Sequence, residues 1–300
     1  MATKSESTRL RRWFKWLMRV SLVLCGLVVL YLVLLRGVWF PGVTPTQTAR
    51  ILAQDEKFGF RALGMSHFWG DRILEPLREA SQDFRDIRLE RNAFWIAAAL
   101  AKNKSARCDA LALELFKRDE ITPKLMGAIG LAAHGTLPNE AFRPNGSLQR
   151  ILAAKEHVIQ LDARNSYVSS APLELALIAA KHARNVDSVE DIVTVMKANP
   201  VSHVQAAAAD ALGAIGDPRA AAPLAEAMRR PDFHALKNAF RALVALSDNR
   251  AIPLAIERIE VEDKNDLVVE LEKVTWMQFG VDQNRWRDWW VSQASSRKPN

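Results

Sequence analysis

Apolar residues recur along most of this chain at the three- and four-residue spacing of an amphipathic helix. The spacing is clear in the runs NAFWIAAALA (92–101), DALALELF (109–116) and EDIVTVM (190–196). After residue 48 no stretch alternates between apolar and polar positions as a half-buried strand does. The pattern therefore predicts an all-α protein.

One alanine-rich stretch shows how two of these helices are joined. The helix predicted over residues 203–215 ends at Gly216, which can adopt the left-handed conformation that closes many helices. Asp217 can then cap the next helix by accepting a hydrogen bond from its free amides. Pro218 suits the first helical position, where no backbone donor is needed. We therefore expect a tight turn between two helices.

The same hairpin pattern occurs again further along the chain. Residues 208–228 align without a gap over residues 239–259, and Asp217 falls on Asp248. Residues 176–196 fit as a third copy that keeps only the apolar positions. Self-similarity at this period is typical of stacked helical pairs, because each pair cannot bury its apolar face alone.

Residues 199–260 resemble HEAT repeats, specifically the short kind also found in phycobilisome lyases. The pattern DxRAxxxLxxAL of that kind is present as DPRAAAPLAEAM at 217–228. Residues 271–290 look like the terminal element that often closes such arrays, with an aromatic-glycine turn and a tryptophan-rich helix. The resemblance implies an armadillo-like α-solenoid of stacked helical hairpins. HEAT patterns are specific for the fold and say little about function.

A membrane segment is predicted near the N-terminus. The sixteen residues from Val20 to Leu35 carry no charge, and with an extension to Phe40 they cover about 31 Å as a helix, enough for a bilayer core. More basic residues precede this run than closely follow it, so the positive-inside rule places the N-terminus in the cytoplasm. We expect one transmembrane helix in the inner membrane of a bacterium, with the C-terminal domain periplasmic or otherwise extracytoplasmic.

Two alternatives to this topology stay open from the sequence. A cleaved signal peptide would need small residues at the cleavage site, and the residues after the run supply no convincing ones. The opposite orientation would leave the C-terminal domain in the cytoplasm.

The basic charge of the chain is concentrated in its first 36 residues. That segment holds seven basic residues and only Glu6 as an acid, out of a formal charge of +7. The remainder is close to neutral, so it offers little field for tracking phosphates. We expect no nucleic acid among the partners.

The chain divides into five segments on these patterns. The run from Pro41 to about Thr48 is expected to be a linker, and residues 135–147 are interpreted as an inserted loop between helical pairs. The segments are a cytoplasmic basic tail (1–15), the transmembrane helix (16–40), a linker and N-terminal cap (41–70), irregular helical repeats (71–198), and HEAT-like repeats with a tryptophan-rich C-terminal cap (199–300).

Candidate chemistry is sparse. The six histidines occur singly, without the spacing that places two metal ligands on one helix face, and none of the common catalytic motifs is present. Cys108 has no partner cysteine in its domain and is interpreted as a buried apolar residue. The pairs Asp217 with Arg219 and Asp248 with Arg250 are interpreted as caps and ladders between repeats. We expect no catalytic residue, no metal and no cofactor.

Two aromatic runs have a structural and a functional interpretation. The run GMSHFWGD (64–71) could be a binding edge or a nucleophile site, but capping of the N-terminal end is favoured. Trp286, Trp289 and Trp290 share one stripe of a helix, which could stack a ligand but is better explained as a cover for the open end of the core.

The remaining candidate site is a charged surface. The second helices of HEAT-like pairs usually line the concave face, and charges of both signs there favour a protein partner over a polyanion. The sequence thus predicts a membrane-tethered, non-catalytic scaffold or adaptor. The alternative is a lyase-like or chaperone-like protein that handles a prosthetic group or a hydrophobic ligand, with Cys108 as the candidate nucleophile. The expected partner-binding residues are Glu226, Arg229, Arg230, Glu257 and Arg258.

Overall fold

The computed structural model describes residues 44–54, 59–82, 92–143, 146–153, 171–259 and 264–296. Regular structure in these ranges consists of fifteen α-helices and short 3₁₀ turns, without a strand. The predicted all-α class is confirmed for this part of the chain. The predicted transmembrane helix at 16–40 lies outside it, and no helix within it is both long and apolar enough to cross a membrane.

The helices are numbered in chain order, and residues 83–91 and 154–170 between them lie outside the described ranges. In the first half of the chain they are α1 (Pro45–Gln54), α2 (Gly59–Trp69), α3 (Leu74–Ala80), α4 (Ala93–Lys102), α5 (Ala106–Phe116), α6 (Ile121–His134) and α7 (Ser147–Ala153). In the second half they are α8 (Ala171–Ala183), α9 (Val189–Ala198), α10 (Ser202–Ile215), α11 (Ala221–Arg229), α12 (Leu236–Ala245), α13 (Ala251–Arg258), α14 (Lys264–Thr275) and α15 (Gln283–Ser296).

The helices from α4 onward form a stack of hairpins. The first helices of the pairs, which are α4, α6, α8, α10, α12 and α14, each pack against the next first helix along the chain. The second helices are α5, α7, α9, α11, α13 and α15, and α11 contacts α13, which contacts α15. The first helices of the irregular half therefore stack in the same way as those of the repeats at 199–260.

The two hairpin turns have the conformation that their residues predict. Gly216 ends α10 with φ at 78°, and the Asp217 carboxylate accepts a hydrogen bond of 2.8 Å from the backbone N–H of Arg219. In the next hairpin Ser247 takes the left-handed position with φ at 57°, and Asp248 accepts the same bond from Arg250. A 3₁₀ turn at Pro218–Ala220 precedes α11, so the second helix starts later than predicted.

A continuous apolar core runs through the stack. Leu212 with Leu243 and Met228 with Ile259 are aligned apolar positions that are buried in both repeats. Each such side chain contributes about 1.5–3 kcal/mol by leaving water, and neighbouring hairpins supply the cover. The shared interior that the repeat pattern predicts is confirmed.

The N-terminal end differs from the prediction at residues 41–48. Helix α1 begins at Pro45, inside the segment expected to be a linker. The Thr44 hydroxyl oxygen accepts a hydrogen bond of 3.1 Å from the backbone N–H of Gln47, which satisfies a donor that the first turn leaves free. Pro45 is compatible with this start because a first-turn residue needs no N–H.

The C-terminal end is closed by the tryptophan stripe. Trp286 is fully buried, and its indole packs edge-on against Phe279 at 4.9 Å and Trp289 at 5.9 Å between ring centroids. Its Nε1–H donates a hydrogen bond of 2.8 Å to the carbonyl of Gly280. The stripe therefore belongs to the core of the last hairpin, as the capping interpretation expects.

The loop at 135–147 is partly structured. Gly135 ends α6 with φ at 74°, and residues Asn139–Phe142 form a 3₁₀ turn. Ala141 and Phe142 of this turn are buried in the core. The described part of the loop is therefore a packed connection between α6 and α7.

Candidate partner-binding surface

The five charged residues predicted to bind a partner lie at the C-terminal ends of two neighbouring second helices. Glu226 and Arg229 belong to the last turns of α11, and Arg230 follows that helix. Glu257 and Arg258 belong to the last turn of α13. We call these five residues the second-helix surface.

Three of the five residues make contacts between consecutive hairpins. Glu226 pairs with Lys197 of α9, with 2.6 Å between Oε2 and Nζ. The Arg230 guanidinium donates a hydrogen bond of 2.8 Å to the carbonyl of Lys197, and Arg258 donates one of 3.3 Å to the carbonyl of Arg230. Helix C-termini leave carbonyls without intrahelical donors, so these arginines satisfy the end of the preceding helix.

We call these contacts between consecutive second helices the second-helix ladder. The carboxylates in and beside it are held in the ionised form. The pKa of Glu226 is lowered by its hydrogen bond from Lys197. Asp232 forms two hydrogen bonds with Arg230, at 2.5 and 3.0 Å, and the hydrogen bond from Arg230 is the main cause of a lowered pKa for Asp232. The ladder therefore keeps fixed charges of both signs.

Arg229 and Glu257 differ from the other three residues. Both side chains are exposed, and neither forms an ion pair with a residue that the structure describes. Their neighbours Arg230 and Arg258 are half-buried and engaged with backbone carbonyls. Arg229 and Glu257 are therefore the two residues of the second-helix surface that are exposed and form no ion pair with a described residue.

The first helices carry a different set of charges, which pair with each other across the stack. Lys181 of α8 lies 3.5 Å from Asp210 of α10, and Lys237 of α12 lies 2.8 Å from Asp266 of α14. Asn238 donates a further hydrogen bond of 2.9 Å to Asp210. We call this the first-helix surface, and it presents charges that are already neutralised by a neighbour.

The spacing of these pairs is regular and could have been found in the sequence. Lys181 with Asp210, Lys237 with Asp266 and Lys197 with Glu226 are each 29 residues apart. A search for opposite charges at about one repeat length would have separated paired from unpaired charges on both surfaces. An alignment of apolar positions and caps alone does not reveal this spacing.

The turns between helices carry a second ladder. Arg219 pairs with Asp217 of its own turn at 2.7 Å, donates a hydrogen bond of 2.9 Å to the carbonyl of Val186, and lies 3.6 Å from Glu190. The hydrogen bonds from Arg219 lower the pKa of Asp217. Because Val186 and Glu190 belong to the preceding hairpin, the predicted link between repeats is confirmed for Arg219, and Asp217 has the predicted role of a cap. Asp248 is likewise a cap, but among the described residues the Arg250 side chain forms hydrogen bonds only with Asp248 of its own turn.

The sequence comparison agrees with this arrangement of stacked pairs. Residues 170–243 and 189–270 match the family model of HEAT repeats. The match extends the resemblance seen at 199–260 in both directions, to include α8 and α9 and to reach α14. Searches of curated proteins and of solved structures gave no significant match. HEAT repeats typically mediate contacts between proteins and are typically non-catalytic.

The thiol of Cys108 is not reactive. The residue is fully buried at the start of α5, and its Sγ lies 3.4 Å from the carbonyl of Leu100. Burial raises the pKa of the Cys108 thiol to about 12, and the nearby carboxylate of Asp109 adds to the effect. The thiolate that a nucleophile requires is therefore scarce near neutral pH, and the interpretation of Cys108 as a buried apolar residue is confirmed.

His134 and Ser66 also have structural roles. The His134 ring contacts the Asp109 carboxylate at 2.5 Å and the Ala101 carbonyl at 3.3 Å, which ties the end of α6 to α5 and α4. Ser66 is buried and donates to the carbonyl of Leu63 within α2, so the run at 64–71 is mostly helix and offers no accessible hydroxyl there. The described residues contain no cluster of three potential metal ligands.

Proposed function

We propose that this chain is a membrane-tethered HEAT-repeat scaffold that binds a protein partner through its second-helix surface and performs no catalysis. The observation that carries the proposal is the contrast between the two charged surfaces. Arg229 and Glu257 are exposed without an ion pair among the described residues, whereas charges of the first-helix surface pair with each other across the stack.

Charges of opposite sign on neighbouring helices suit a protein partner. Such charges set the register of an encounter and the rate of association more than they set affinity. The helix ends that carry Arg229 and Glu257 are held by Arg230 and Arg258, so the two charges have a fixed separation before binding. A rigid pair of this kind favours one complementary partner over a general polyanion.

The tether is supported by the sequence of the N-terminal segment. The uncharged run from Val20 to Leu35, with basic residues before it, supports a transmembrane helix whose N-terminus lies in the cytoplasm. On this proposal the HEAT repeats lie on the opposite side of the inner membrane. The anchor would raise the effective concentration of the scaffold and its partner at that membrane.

The partner is identified by affinity capture of the full-length chain from membranes in mild detergent. The test variant reverses both exposed charges of the second-helix surface, R229E with E257K. The control variant, K237E with D266K, reverses an ion pair on the first-helix surface. Both double variants keep the net charge, so a nonspecific electrostatic effect would change them equally.

We expect the R229E and E257K variant to lose the co-purifying protein that the control variant retains. Both variants should keep the helical circular dichroism of the unchanged chain, because none of the four residues lies in the core. Retention of every captured protein by the R229E and E257K variant would show that the proposed surface is wrong. Equal loss from both variants would show that the interaction depends on the stack and not on this surface.

The orientation of the tether has its own test. A phosphatase that is active only after export is fused after Asn300, and a reporter that is active only in the cytoplasm is fused at the same place. We expect activity from the first fusion and none from the second. The reverse result would place the HEAT repeats in the cytoplasm and overturn the proposed localisation.

A further inference from the structure

Phe68 is the one large apolar side chain that is exposed among the described residues from Thr44 to Lys102, with 75% of its surface accessible. It lies near the end of α2, next to Trp69, whose ring it contacts edge-on at 5.3 Å. Trp69 is partly buried against the core, whereas Phe68 points to solvent. A single exposed apolar side chain is ordinary on a protein surface, so what distinguishes Phe68 is its position in the fold.

The position of Phe68 is fixed relative to the start of the described chain. The indole Nε1–H of Trp69 donates a hydrogen bond of 3.2 Å to the hydroxyl oxygen of Thr48. Thr48 lies in the first turn of α1, and its own hydroxyl donates to the carbonyl of Thr44. The end of α2, with Phe68, therefore lies beside the point where the preceding chain enters the stack.

That entry point is close in sequence to the proposed tether. Thr44 follows Phe40, the end of the predicted apolar segment, by four residues. Four residues span at most about 14 Å even when fully extended. If the segment crosses the membrane, as the proposed function requires, the first turn of α1 is held within that distance of the lipid surface.

The surroundings of Phe68 suit a lipid headgroup layer. Gly64 lies four residues before it, on the same face of α2, and is exposed. Gly64 has no heavy atom within 4 Å of the position that a Cβ would take, so this face is open. Arg72 follows in the next turn and is also exposed. Arginines beside an aromatic ring can contact phosphates while the ring enters the acyl boundary.

The described residues of α1 and α3 form a polar groove at this end of the stack, as is usual for a terminal repeat. A shallow groove between α1 and α3 is lined mainly by polar and small side chains, among them Thr46, Arg50, Gln54 and Glu79. The end is therefore not an unfinished apolar face awaiting another hairpin. Phe68 is a local exception within it.

We infer that Phe68 inserts into the membrane surface and, with Arg72, fixes the orientation of the HEAT stack relative to the bilayer. The inference rests on the proposed tether. A single phenyl ring gives too little binding free energy to attach a protein by itself, but a tether of four residues makes the contact intramolecular. The ring then acts on orientation and not on attachment.

The test uses the full chain reconstituted into vesicles of phosphatidylethanolamine and phosphatidylglycerol. A nitroxide is attached to the F68C variant in a chain that also carries C25S, and the remaining Cys108 is too deeply buried to react. The matched control is the V291C variant, because Val291 is 64% exposed on α15, at the other end of the stack. Electron paramagnetic resonance then compares collisions with oxygen, which enriches in lipid, with collisions with a water-soluble nickel chelate.

We expect the oxygen-to-nickel ratio to be several-fold higher for the F68C label than for the V291C label. Equal ratios in protein that floats with the vesicles would overturn the inference and leave the tether in place. Protein that does not float with the vesicles would overturn the tether and the inference together. The two failures are therefore distinguishable.

A second pair of samples tests whether Phe68 holds the contact. The nitroxide is placed at position 64 through the G64C variant, with and without F68E, because Gly64 is open and lies on the same face of α2 as Phe68. We expect F68E to lower the ratio at position 64 to the value of the V291C control, while the helical circular dichroism stays the same. An unchanged ratio would show that the lipid contact does not depend on Phe68. The variant F68Q repeats the test without an added charge if F68E alters the fold.

Discussion

Gly213 of α10 lies against Ala242 of α12 so closely that a Cβ on residue 213 would be 2.8 Å from the Cα and 2.9 Å from the Cβ of Ala242. Both distances are shorter than the contacts that Cβ atoms make in real proteins, and the shorter one is to a backbone atom. The two first helices therefore meet at a point where a side chain has no room. This contact sets the spacing between two consecutive HEAT hairpins.

We predict that G213A destabilises the chain even though alanine is the better helix former. The extra methyl must displace α12, which costs about 1–3 kcal/mol, against a gain of about 1 kcal/mol in helix propensity. The midpoint of thermal unfolding, followed by circular dichroism of the full chain in mild detergent, should fall. The control G64A adds a methyl to an open helical position and should keep or raise the midpoint. A higher midpoint for G213A would contradict the close contact.

Acid should weaken the turns between hairpins. Hydrogen bonds from Arg219 and Arg250 lower the pKa of Asp217 and of Asp248 below the value of about 3.9 that an aspartate has in an unfolded chain. A group with a lowered pKa in the folded state stabilises above the unfolded value, and this contribution is lost as pH falls through the folded value. We therefore predict that the melting midpoint falls below about pH 4.

The double variant D217N and D248N separates the charge of these turns from their caps. Asparagine also caps a helix, so the variant should stay folded at neutral pH with a lower midpoint. Between pH 5 and pH 2 its midpoint should fall less than that of the unchanged chain, because two of the titrating groups are gone. An identical acid dependence would mean that these aspartates keep ordinary pKa values in the folded state.

The turns also show how far sequence patterns determine this fold. Gly216 and Asp217 predict the first turn correctly because each has a specific backbone or capping preference. In the second repeat Ser247 takes the left-handed conformation, which its own propensity does not favour, so only the alignment with Gly216 places the turn there. The sequence pattern places Pro45 in a linker because proline is common both in linkers and in first turns, and the capping hydrogen bond to Thr44 decides between the two.

The candidate site was predictable at the level of elements and less so at the level of side chains. Their positions off the apolar stripe identify Glu226, Arg230 and Arg258 as surface residues. The positions do not show that a neighbouring hairpin supplies Lys197 or a backbone carbonyl as a partner for each of them. Those partners come from stacking geometry. The regular spacing of opposite charges identifies the ion pairs from the sequence. Hydrogen bonds to backbone carbonyls cannot be identified in this way, because every residue has a carbonyl.

The last hairpin contains a buried and an exposed tryptophan that allow a matched test. Trp286 is fully buried, and W286A should cost about 3–5 kcal/mol through lost burial and a cavity. Trp276 is 88% exposed just after α14, and W276A should leave stability nearly unchanged. In a stack each hairpin contacts only its neighbours, so the loss from W286A should be confined to the C-terminal end.

Amide hydrogen exchange of the full chain, read by mass spectrometry, locates the effect. We predict faster exchange in α14 and α15 of W286A, with α10 and α11 unchanged, and no change anywhere in W276A. The variant W286F keeps a ring in the core but loses the hydrogen bond to the carbonyl of Gly280, so its exchange should be intermediate. Fraying of the hairpin in W276A to the same extent as in W286A would contradict the cap, because it would mean that the exposed ring, and not the buried one, holds α15 on the stack.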